Sequence, residues 1–214
     1  MWRLGSAYWE RSAAVLESLH VVAPNLQGRF EPSRLPMQFR SLDIAGLWLV
    51  ELEKLEDERG FFSRLFCSDT FREHGLCADY PQWSVSFNRK RGTLRGLHFQ
   101  AAPHQEAKLV SCMRGAVFDV AVDVRPTSPS RGKWVAVELS ADKGAAFYIP
   151  EGFAHGFQTL TDDAEVLYHI SQRHHPEAGR GVRWDDPDLA IAWPSAPERV
   201  ISSRDRALPR LRDL

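Results

Sequence analysis

The chain has 214 residues and a mass of 24.3 kDa, which is enough for one large domain or two small ones. Hydrophobic residues make up 43% of it and charged residues 26%, a globular composition that excludes wholesale disorder and fibrous repeats. With 27 basic and 28 acidic residues the formal net charge is −1, which gives no overall field for holding nucleic acid or an anionic membrane.

Residues 1–36 differ from the rest and are predicted to be an N-terminal extension, either poorly ordered or carrying one short helix. Ser12 to Val22 has the spacing of a short amphipathic helix, whereas Pro24 to Pro36 is polar and broken by prolines, as is typical of a linker. The most apolar part is interrupted by charged and polar residues, so it is not a signal peptide. Residues 37–214 are predicted to form a single domain.

From Met37 onward the sequence favours β-strands. Apolar residues alternate with small or acidic ones in 115–125, which is the period of a strand buried on one face. The segments 133–140 and 165–171 repeat this period. Turn-forming clusters separate these runs, and many short strands about ten residues apart predict an all-β sandwich or barrel.

One helix is predicted, at Ser68–His74, ending at Gly75. No glycine-rich phosphate-binding loop follows a strand, which argues against a nucleotide-binding α/β fold.

The compartment is predicted from two further features. The sequence contains no run of about 18 apolar residues, so no transmembrane helix is expected. The three cysteines, Cys67, Cys77 and Cys112, are scattered outside any C-x-x-C spacing, which predicts neither a disulfide framework nor a zinc site. A reducing, cytoplasmic setting is the simplest interpretation.

The densest polar cluster on this β framework lies at Arg95 to Gln100 and is followed by Lys108. Strand alternation predicts that Arg95 and His98 lie on opposite faces of their strand. His98 is a candidate general base because the ordinary pKa of histidine, about 6.5, lies near working pH.

Three further residue types would complete an acid–base site around His98. A carboxylate would hold the imidazole in one tautomer, and spacing alone leaves Asp205 and Asp119 as alternatives. Tyr168 is a candidate acid, and Lys108 is a candidate for stabilising an oxyanion. Each of these residues could equally be part of the packed core.

A metal site is the strongest alternative interpretation. Neutral imidazole is a common metal ligand, and His98, His104, Glu106 and His155 would form a ligand set if the backbone bent suitably. The sequence has no H-x-H pair, however, so no metal is predicted. The pair His174–His175 stands beside a proline and is predicted to be a solvated turn rather than a pair of ligands.

Eight segments, in this order and spacing, resemble the dTDP-4-dehydrorhamnose 3,5-epimerase family. They are Asp57-Glu-Arg-Gly-Phe-Phe, Gly92-Thr-Leu-Arg-Gly-Leu-His-Phe-Gln, Lys108-Leu-Val, Arg114-Gly-Ala-Val-Phe-Asp-Val-Ala-Val-Asp-Val-Arg, Tyr148-Ile-Pro-Glu-Gly-Phe-Ala-His-Gly-Phe, Arg183-Trp-Asp-Asp-Pro, Ala192-Trp-Pro and Ser203-Arg-Asp. The resemblance extends from Met37 to the C-terminus. It implies a cupin-type jelly roll, usually a homodimer, that uses no metal or organic cofactor.

The resemblance also implies a reaction. The substrate would be a dTDP-4-dehydro-6-deoxyhexose, a nucleotide sugar whose C4 ketone acidifies the hydrogens on C3 and C5. His98 corresponds to the base that removes such a proton, and Asp205 to the carboxylate paired with it. Lys108 corresponds to the lysine that stabilises the enolate, and Tyr168 to the tyrosine that returns a proton to the opposite face.

Four more residues correspond to substrate-binding positions of the family. Arg95 and His155 resemble the residues that meet the diphosphate, for which arginine geometry is suited. Arg59 resembles an arginine that reaches the nucleotide across the dimer, in a swapped strand. Gln82 corresponds to the glutamine of a Q-D-N-H-S pattern if one residue bulges.

Departures from the family pattern fall near the sugar and nucleotide contacts. Arg64 stands where many relatives have glutamate, and Arg173–His174 stands where many have a tyrosine pair. The nucleotide, and whether C3, C5 or both are inverted, are therefore left open. The alternatives to an active epimerase are a metal-dependent cupin enzyme and a catalytically inactive nucleotide-sugar-binding relative.

Overall fold

The computed structural model describes residues 37–214, and the predicted N-terminal extension lies outside this range. The division of the chain at residue 36 therefore stays a prediction. The strands of the described part are β1 (Met37–Ser41), β2 (Trp48–Leu52), β3 (Lys54–Asp57), β4 (Gly60–Ser63), β5 (Gln82–Asn88), β6 (Leu94–Gln100), β7 (Lys108–Arg114), β8 (Ala116–Asp123), β9 (Trp134–Ser140), β10 (Ala145–Ile149), β11 (Phe153–Thr159), β12 (Ala164–Ile170) and β13 (Gly179–Gly181). The α-helices are α1 (Ser68–Glu73) and α2 (Ser203–Arg206), and short 3₁₀ helices span Pro176–Ala178 and Leu211–Asp213.

Eleven of the thirteen strands form two antiparallel sheets with a common core, and β3 and β4 pair only with each other. One sheet has the order β1-β2-β10-β7-β12-β5, and the other has the order β13-β6-β11-β8-β9. Val110 and Phe147 of the first sheet and Leu139 and Phe157 of the second are fully buried in one cluster. The architecture is the predicted all-β jelly roll, so the predicted fold class is confirmed.

The outer faces of both sheets are also covered. Phe71 of α1 packs with Leu109 and Tyr148 on the outer face of the first sheet. Leu189 and Leu211, from the C-terminal segment, belong to the cluster that covers the outer face of the second sheet. Strands buried on both faces need apolar or small residues throughout, which is why β10 and β11 contain so few exposed positions.

The one helix that the sequence predicted in the described region is α1, and the structure confirms it to within one residue. Gly75 follows it with a φ of +69°, a conformation that glycine adopts without a steric penalty and that commonly ends helices. Phe71 is completely buried and anchors the helix.

Strand β8 differs from its prediction as a strand buried on one face. Asp119 and Asp123 are both 0% exposed, although they lie on the polar side of the alternation. This side, together with Ala121, faces the space between the sheets, while Val120 packs under the C-terminal segment. The alternation in the sequence assigned the residues of β8 to its two faces correctly. The prediction that one face is solvated was wrong, because the C-terminal segment covers the apolar face and the other face lies between the sheets.

Asp123 ties the end of β8 to the following loop. Its Oδ1 accepts hydrogen bonds from Arg125 N at 3.0 Å and from Arg125 Nε at 2.9 Å, and its Oδ2 accepts from the hydroxyls of Ser128 and Ser130. Burial raises the pKa of Asp123, but these hydrogen bonds outweigh burial and hold the pKa well below its usual range.

We expect Asp123→Ala to lower the free energy of unfolding at pH 7 by about 3 kcal/mol, because the substitution leaves several buried donors without an acceptor. Since the folded pKa lies below the unfolded one, this contribution is present above about pH 4 and is lost progressively as the pH falls towards the folded pKa. Urea unfolding of both proteins at pH 7 and pH 3 measures it. Asp213→Ala, at an exposed aspartate, is the control. A difference that is equal at both pH values would contradict the prediction.

Cys67, Cys77 and Cys112 are free thiols, and Cys112 is buried. Between residues 37 and 214, no helix has the length and apolar character needed to cross a membrane.

Candidate active site

A cavity with a volume of about 420 Å³ is lined by residues from both sheets. It brings together six of the eight residues that the sequence singled out: Arg95, His98, Lys108, His155, Tyr168 and Asp205. Arg95, His98 and His155 belong to the five-stranded sheet, Lys108 and Tyr168 belong to the six-stranded sheet, and Asp205 comes from α2. Residues distant in sequence therefore meet in one cavity because the two sheets face each other.

Strand β6 contributes both Arg95 and His98 to this cavity, so the prediction that they lie on opposite faces was wrong. His98 is paired with His155 of β11, and Arg95 is paired with Phe157. Arg95 and His98 are three residues apart on β6, whereas their partners are two residues apart on β11. This shift in register is a β-bulge. One additional residue reverses the alternation and turns both side chains to the same side.

Two glycines permit the close approach of the strands at this bulge. A Cβ on Gly96 would lie 2.5 Å from Gly156 Cα, and a Cβ on Gly156 would lie 2.6 Å from the carbonyl oxygen of Arg95. Neither position has room for a side chain.

His98 is held by the carboxylate of Asp205. The distance from His98 Nε2 to Asp205 Oδ1 is 2.8 Å, and Asp205 Oδ2 accepts a hydrogen bond from Gly96 N at 3.1 Å. Burial raises the pKa of Asp205, but the hydrogen bonds from His98 and Gly96 outweigh burial and keep the pKa below its usual value. An ionised carboxylate orients the imidazole and stabilises its protonated form, as a general base requires.

The position of Asp205 is set by a short helix cap. Ser202 is the N-cap of α2, and its Oγ accepts a hydrogen bond from Asp205 N at 3.0 Å. Asp205 is only 5% exposed, whereas 42% of the His98 side chain is exposed. The carboxylate is therefore shielded, and the imidazole remains accessible to a substrate.

Asp119, the alternative partner for His98, is paired with a different histidine. His155 Nε2 lies 2.8 Å from Asp119 Oδ1, and both residues are buried. Burial raises the pKa of Asp119, and His155 and Lys108 partly offset this effect. The second oxygen, Oδ2, has no hydrogen-bond partner in the described structure. Two histidines that line the cavity are thus each paired with a buried aspartate.

Lys108 reaches the cavity from β7 and is almost completely buried. Its Nζ lies 2.8 Å from Glu106 Oε1 and donates to the carbonyl oxygen of His98 at 3.4 Å. A buried ammonium group needs such partners to remain charged. Glu106 therefore supports Lys108, a role that the sequence analysis did not assign to it.

Tyr168 of β12 lies in the sheet opposite His98. Its hydroxyl is 3.4 Å from Ser86 Oγ, and its ring is 6.0 Å from that of His155 in an edge-on arrangement. Burial raises the pKa of Tyr168, so the phenol keeps its proton at neutral pH. A protonated phenol in the wall facing the imidazole can serve as an acid.

Other cavity residues were missed by the sequence analysis. Ser84 lies opposite Tyr168 in the pairing of β5 with β12, and Ser202 and Arg204 precede Asp205 in the sequence. The Ser203-Arg-Asp segment was the available signal for Arg204, and Ser202 immediately precedes that segment. Asn88 was also missed: it is buried, and its Oδ1 accepts a hydrogen bond from Arg95 Nε at 2.7 Å.

Two predicted binding residues lie away from the lining of the cavity. Arg59 is in the turn between β3 and β4, where its side chain is 82% exposed and forms an ion pair with Asp57. Gln82 begins β5, and its Oε1 accepts a hydrogen bond from His174 N at 3.0 Å. These contacts within one chain leave the predicted binding roles of Arg59 and Gln82 as proposals.

The alternative metal-ligand set is not assembled. His98 is paired with Asp205, His155 with Asp119, and Glu106 with Lys108. The fourth member, His104, instead stacks on His175 with 3.6 Å between ring centroids. The prediction of a solvated turn at 174–175 is right for the exposed His174 and wrong for His175, which is partly buried by this stacking.

The arrangement supports proton transfer next to a carbonyl group. A base and an acid come from opposite walls of one cavity, and the buried ammonium of Lys108, on the strand next to that of Tyr168, contacts the carbonyl oxygen of His98. The ammonium can stabilise negative charge that develops on an oxygen when a neighbouring carbon loses a proton. Arginine and histidine side chains on the same walls can bind an anionic part of the substrate.

The sequence is similar to that of known epimerases. A profile of the family described as dTDP-4-dehydrorhamnose 3,5-epimerase matches residues 41–213. A protein of that name from Sinorhizobium fredii is 45% identical over 178 residues, which cover 83% of this chain and 91% of the relative.

Solved structures give the same result. A 3,5-epimerase from Legionella pneumophila, in complex with dTDP-4-keto-L-rhamnose, is 39% identical with a TM-score of 0.79, and the match covers 83% of this chain and 94% of that one. ChmJ, a 3'-monoepimerase from Streptomyces bikiniensis in complex with dTDP-quinovose, is 38% identical with a TM-score of 0.76, covering 80% and 86%.

Proposed function

The chain belongs to the dTDP-4-dehydrorhamnose 3,5-epimerase family, and we propose that its cavity inverts C3, C5 or both of a dTDP-4-dehydro-6-deoxyhexose. It is an isomerase of the carbohydrate-epimerase type, a class that serves deoxysugar biosynthesis. The observation that carries the proposed chemistry is the placement of His98 and Tyr168 on facing sheets of one cavity. Inversion requires a proton to leave one face of the sugar ring and another to arrive on the opposite face.

In the first step His98 removes a proton from a carbon next to the C4 ketone. Asp205 holds His98 Nε2, which leaves Nδ1 as the nitrogen that accepts the proton. The resulting imidazolium is stabilised by the ionised carboxylate. The electron pair of the broken C–H bond moves onto the C4 oxygen, and the ammonium of Lys108 stabilises this enolate.

In the second step Tyr168 returns a proton to the same carbon from the other side. The pKa of its phenol is raised by burial, so the group enters the step protonated. After the transfer, the phenolate and the imidazolium exchange protons with solvent to restore both groups. The same pair can act at C3 and at C5, because both carbons adjoin the one ketone.

The diphosphate is proposed to bind beside the reacting sugar. Arg95 is aimed by its hydrogen bond to Asn88 and can contact phosphate oxygens with its terminal nitrogens. His155, held by Asp119, provides a second contact. Arg204 lines the same cavity and adds positive charge.

The function is tested by incubating the protein with dTDP-4-dehydro-6-deoxyglucose in deuterated water. NMR is expected to show deuterium entering C3, C5 or both, followed by the inverted product. The pattern also distinguishes a double epimerase from a mono-epimerase, both of which occur among the similar structures. Binding of the nucleotide sugar without exchange would instead identify an inactive binding relative. If a chelator that removes bound metal abolishes the exchange, the protein is a metal-dependent cupin instead.

We also propose that the protein acts as a homodimer. Trp83, Val85 and Phe87 are 62%, 64% and 43% exposed on one face of β5, which is an edge strand of its sheet. Phe61, in the hairpin β3–β4, is a further exposed apolar residue, with 56% of its surface exposed. Apolar side chains along an unpaired strand edge favour association with another chain. A second chain bound at this apolar surface would allow Arg59, in the turn of the hairpin β3–β4, to reach the cavity of that second chain.

We expect Val85→Glu to shift the protein from dimer to monomer, because a carboxylate placed in an apolar interface loses its hydration. Light scattering at micromolar concentration should give twice 24.3 kDa for the wild type and 24.3 kDa for the variant. Met113→Glu, at a 52% exposed apolar residue of β7, is the matched control. A monomeric wild type, or equal effects of both substitutions, would refute this interface.

The cytoplasm is the proposed site of action. The three cysteines are free thiols, which persist in a reducing compartment. With a net charge of −1, the chain has no overall attraction for nucleic acid or an anionic membrane, so the proposed partners are the nucleotide sugar and a second copy of the chain.

A further inference from the structure

A second cluster of metal-binding side chains lies outside the cavity. His104, His175 and Glu177 offer two imidazole nitrogens and one carboxylate oxygen, all within 4.8 Å of one another. The imidazole rings stack with 3.6 Å between centroids, and His175 Nδ1 lies 3.1 Å from Glu177 Oε1. We infer that this cluster binds one zinc ion.

The two histidines are held in place by one buried side chain. Gln100, which is 4% exposed, donates a hydrogen bond from Nε2 to the carbonyl oxygen of His104 at 3.1 Å. Its Oε1 accepts a hydrogen bond from His175 N at 2.6 Å. The loops that carry the histidines are therefore joined through main-chain atoms, independently of the imidazole rings. This fixes the ligands near each other before any ion binds, which reduces the entropy lost on binding.

The separations fit the dimensions of a zinc site. Zinc binds nitrogen and oxygen ligands at about 2.0–2.2 Å, so two ligands of a tetrahedral ion lie roughly 3.3 Å apart. The 3.1 Å between His175 Nδ1 and Glu177 Oε1 already matches this spacing. The ion takes the place of the hydrogen between these two atoms, and the His175 ring then carries its hydrogen on Nε2. The third ligand atom lies within 4.8 Å of the other two, and the stacked ring of His104 has to turn towards the ion, because an imidazole nitrogen binds a metal in the plane of its ring.

The ligand types favour zinc over magnesium or calcium. Two neutral imidazoles with one carboxylate suit zinc and neighbouring transition metals, whereas magnesium and calcium prefer oxygen ligands. The guanidinium of Arg180, next to the cluster, donates hydrogen bonds from Nη1 to the main-chain carbonyl oxygens of Glu177 and Gly179. Glu177 is exposed, so water can fill the fourth position.

The test is a zinc titration of the full-length protein against a chromophoric chelator. The wild type is expected to bind one zinc ion with micromolar affinity. His104→Ala and His175→Ala should each weaken binding at least about tenfold. Both variants should fold, since Gln100 contacts only the main chain of these residues. Circular dichroism checks the fold.

The matched control is His174→Ala, which removes an exposed imidazole from the same loop but leaves the cluster intact. It is expected to bind zinc like the wild type, and so is His98→Asn, which alters the cavity. A wild type without a micromolar zinc site would overturn the inference. So would zinc binding unchanged by His104→Ala and His175→Ala, or weakened equally by His174→Ala. None of these results bears on the proposed epimerase activity, which is measured separately by deuterium exchange.

Discussion

Replacing His98 with alanine is expected to reduce deuterium exchange at the carbons next to the ketone by about 10³-fold, the effect of losing a general base. No other group in the cavity combines an accessible imidazole nitrogen with an ionised carboxylate behind it, among the residues that the structure describes. Exchange is measured by NMR with saturating nucleotide sugar in deuterated water. His98→Asn should show the same loss while still offering Asp205 a hydrogen-bond donor.

The fold should survive both substitutions, because 42% of the His98 side chain is exposed and no apolar core is disturbed. Thermal unfolding and the affinity for the nucleotide sugar are the controls. His174→Ala removes another imidazole, outside the cavity, and is expected to leave exchange unchanged. Full exchange by either His98 variant would exclude His98 as the base.

Replacing Tyr168 with phenylalanine is expected to separate proton exchange from inversion. His98 can still remove a proton and return deuterium to the same face, so deuterium incorporation with retained configuration should continue. Delivery to the opposite face loses its acid, and the rate of inversion is expected to fall by about 10²- to 10³-fold. The ratio of exchanged substrate to inverted product, read by NMR, measures this directly.

Tyr148→Phe provides the matched control for that experiment. Tyr148 is another strand tyrosine with a pKa raised by burial, but its hydroxyl accepts a hydrogen bond from Cys77 N on the outer face of the sheet. Its substitution removes the same atom and should leave inversion unchanged. If Tyr168→Phe inverts its substrate at the wild-type rate, another group must supply the second proton.

Local pattern in the sequence was sufficient for much of the fold. Alternation in 115–125, 133–140 and 165–171 identified strands, and glycine after a short amphipathic stretch identified the end of α1. These signals depend on residues close together in the chain, where the backbone geometry alone determines which side chains share a face. The same motifs named six residues that the structure brings into one cavity.

The spacing of residues in the sequence could not predict contacts between segments that are far apart in the chain. Spacing alone left Asp119 and Asp205 as equivalent partners for His98, and the resemblance to the family favoured Asp205. Helix α2 places Asp205 Oδ1 2.8 Å from His98 Nε2. The bulge against β11 put Arg95 beside His98 despite the alternation. In the same way, only the fold shows that Glu106 supports Lys108.

The amino-acid sequence by itself thus determined the strand pattern, the fold class and the residue types of the site. The tertiary structure decided which carboxylate meets which histidine, which polar side chains face inward, and that His104 and His175 meet. The physical reason is that strand periodicity reports the two faces of a strand, whereas register and sheet packing decide what each face contacts.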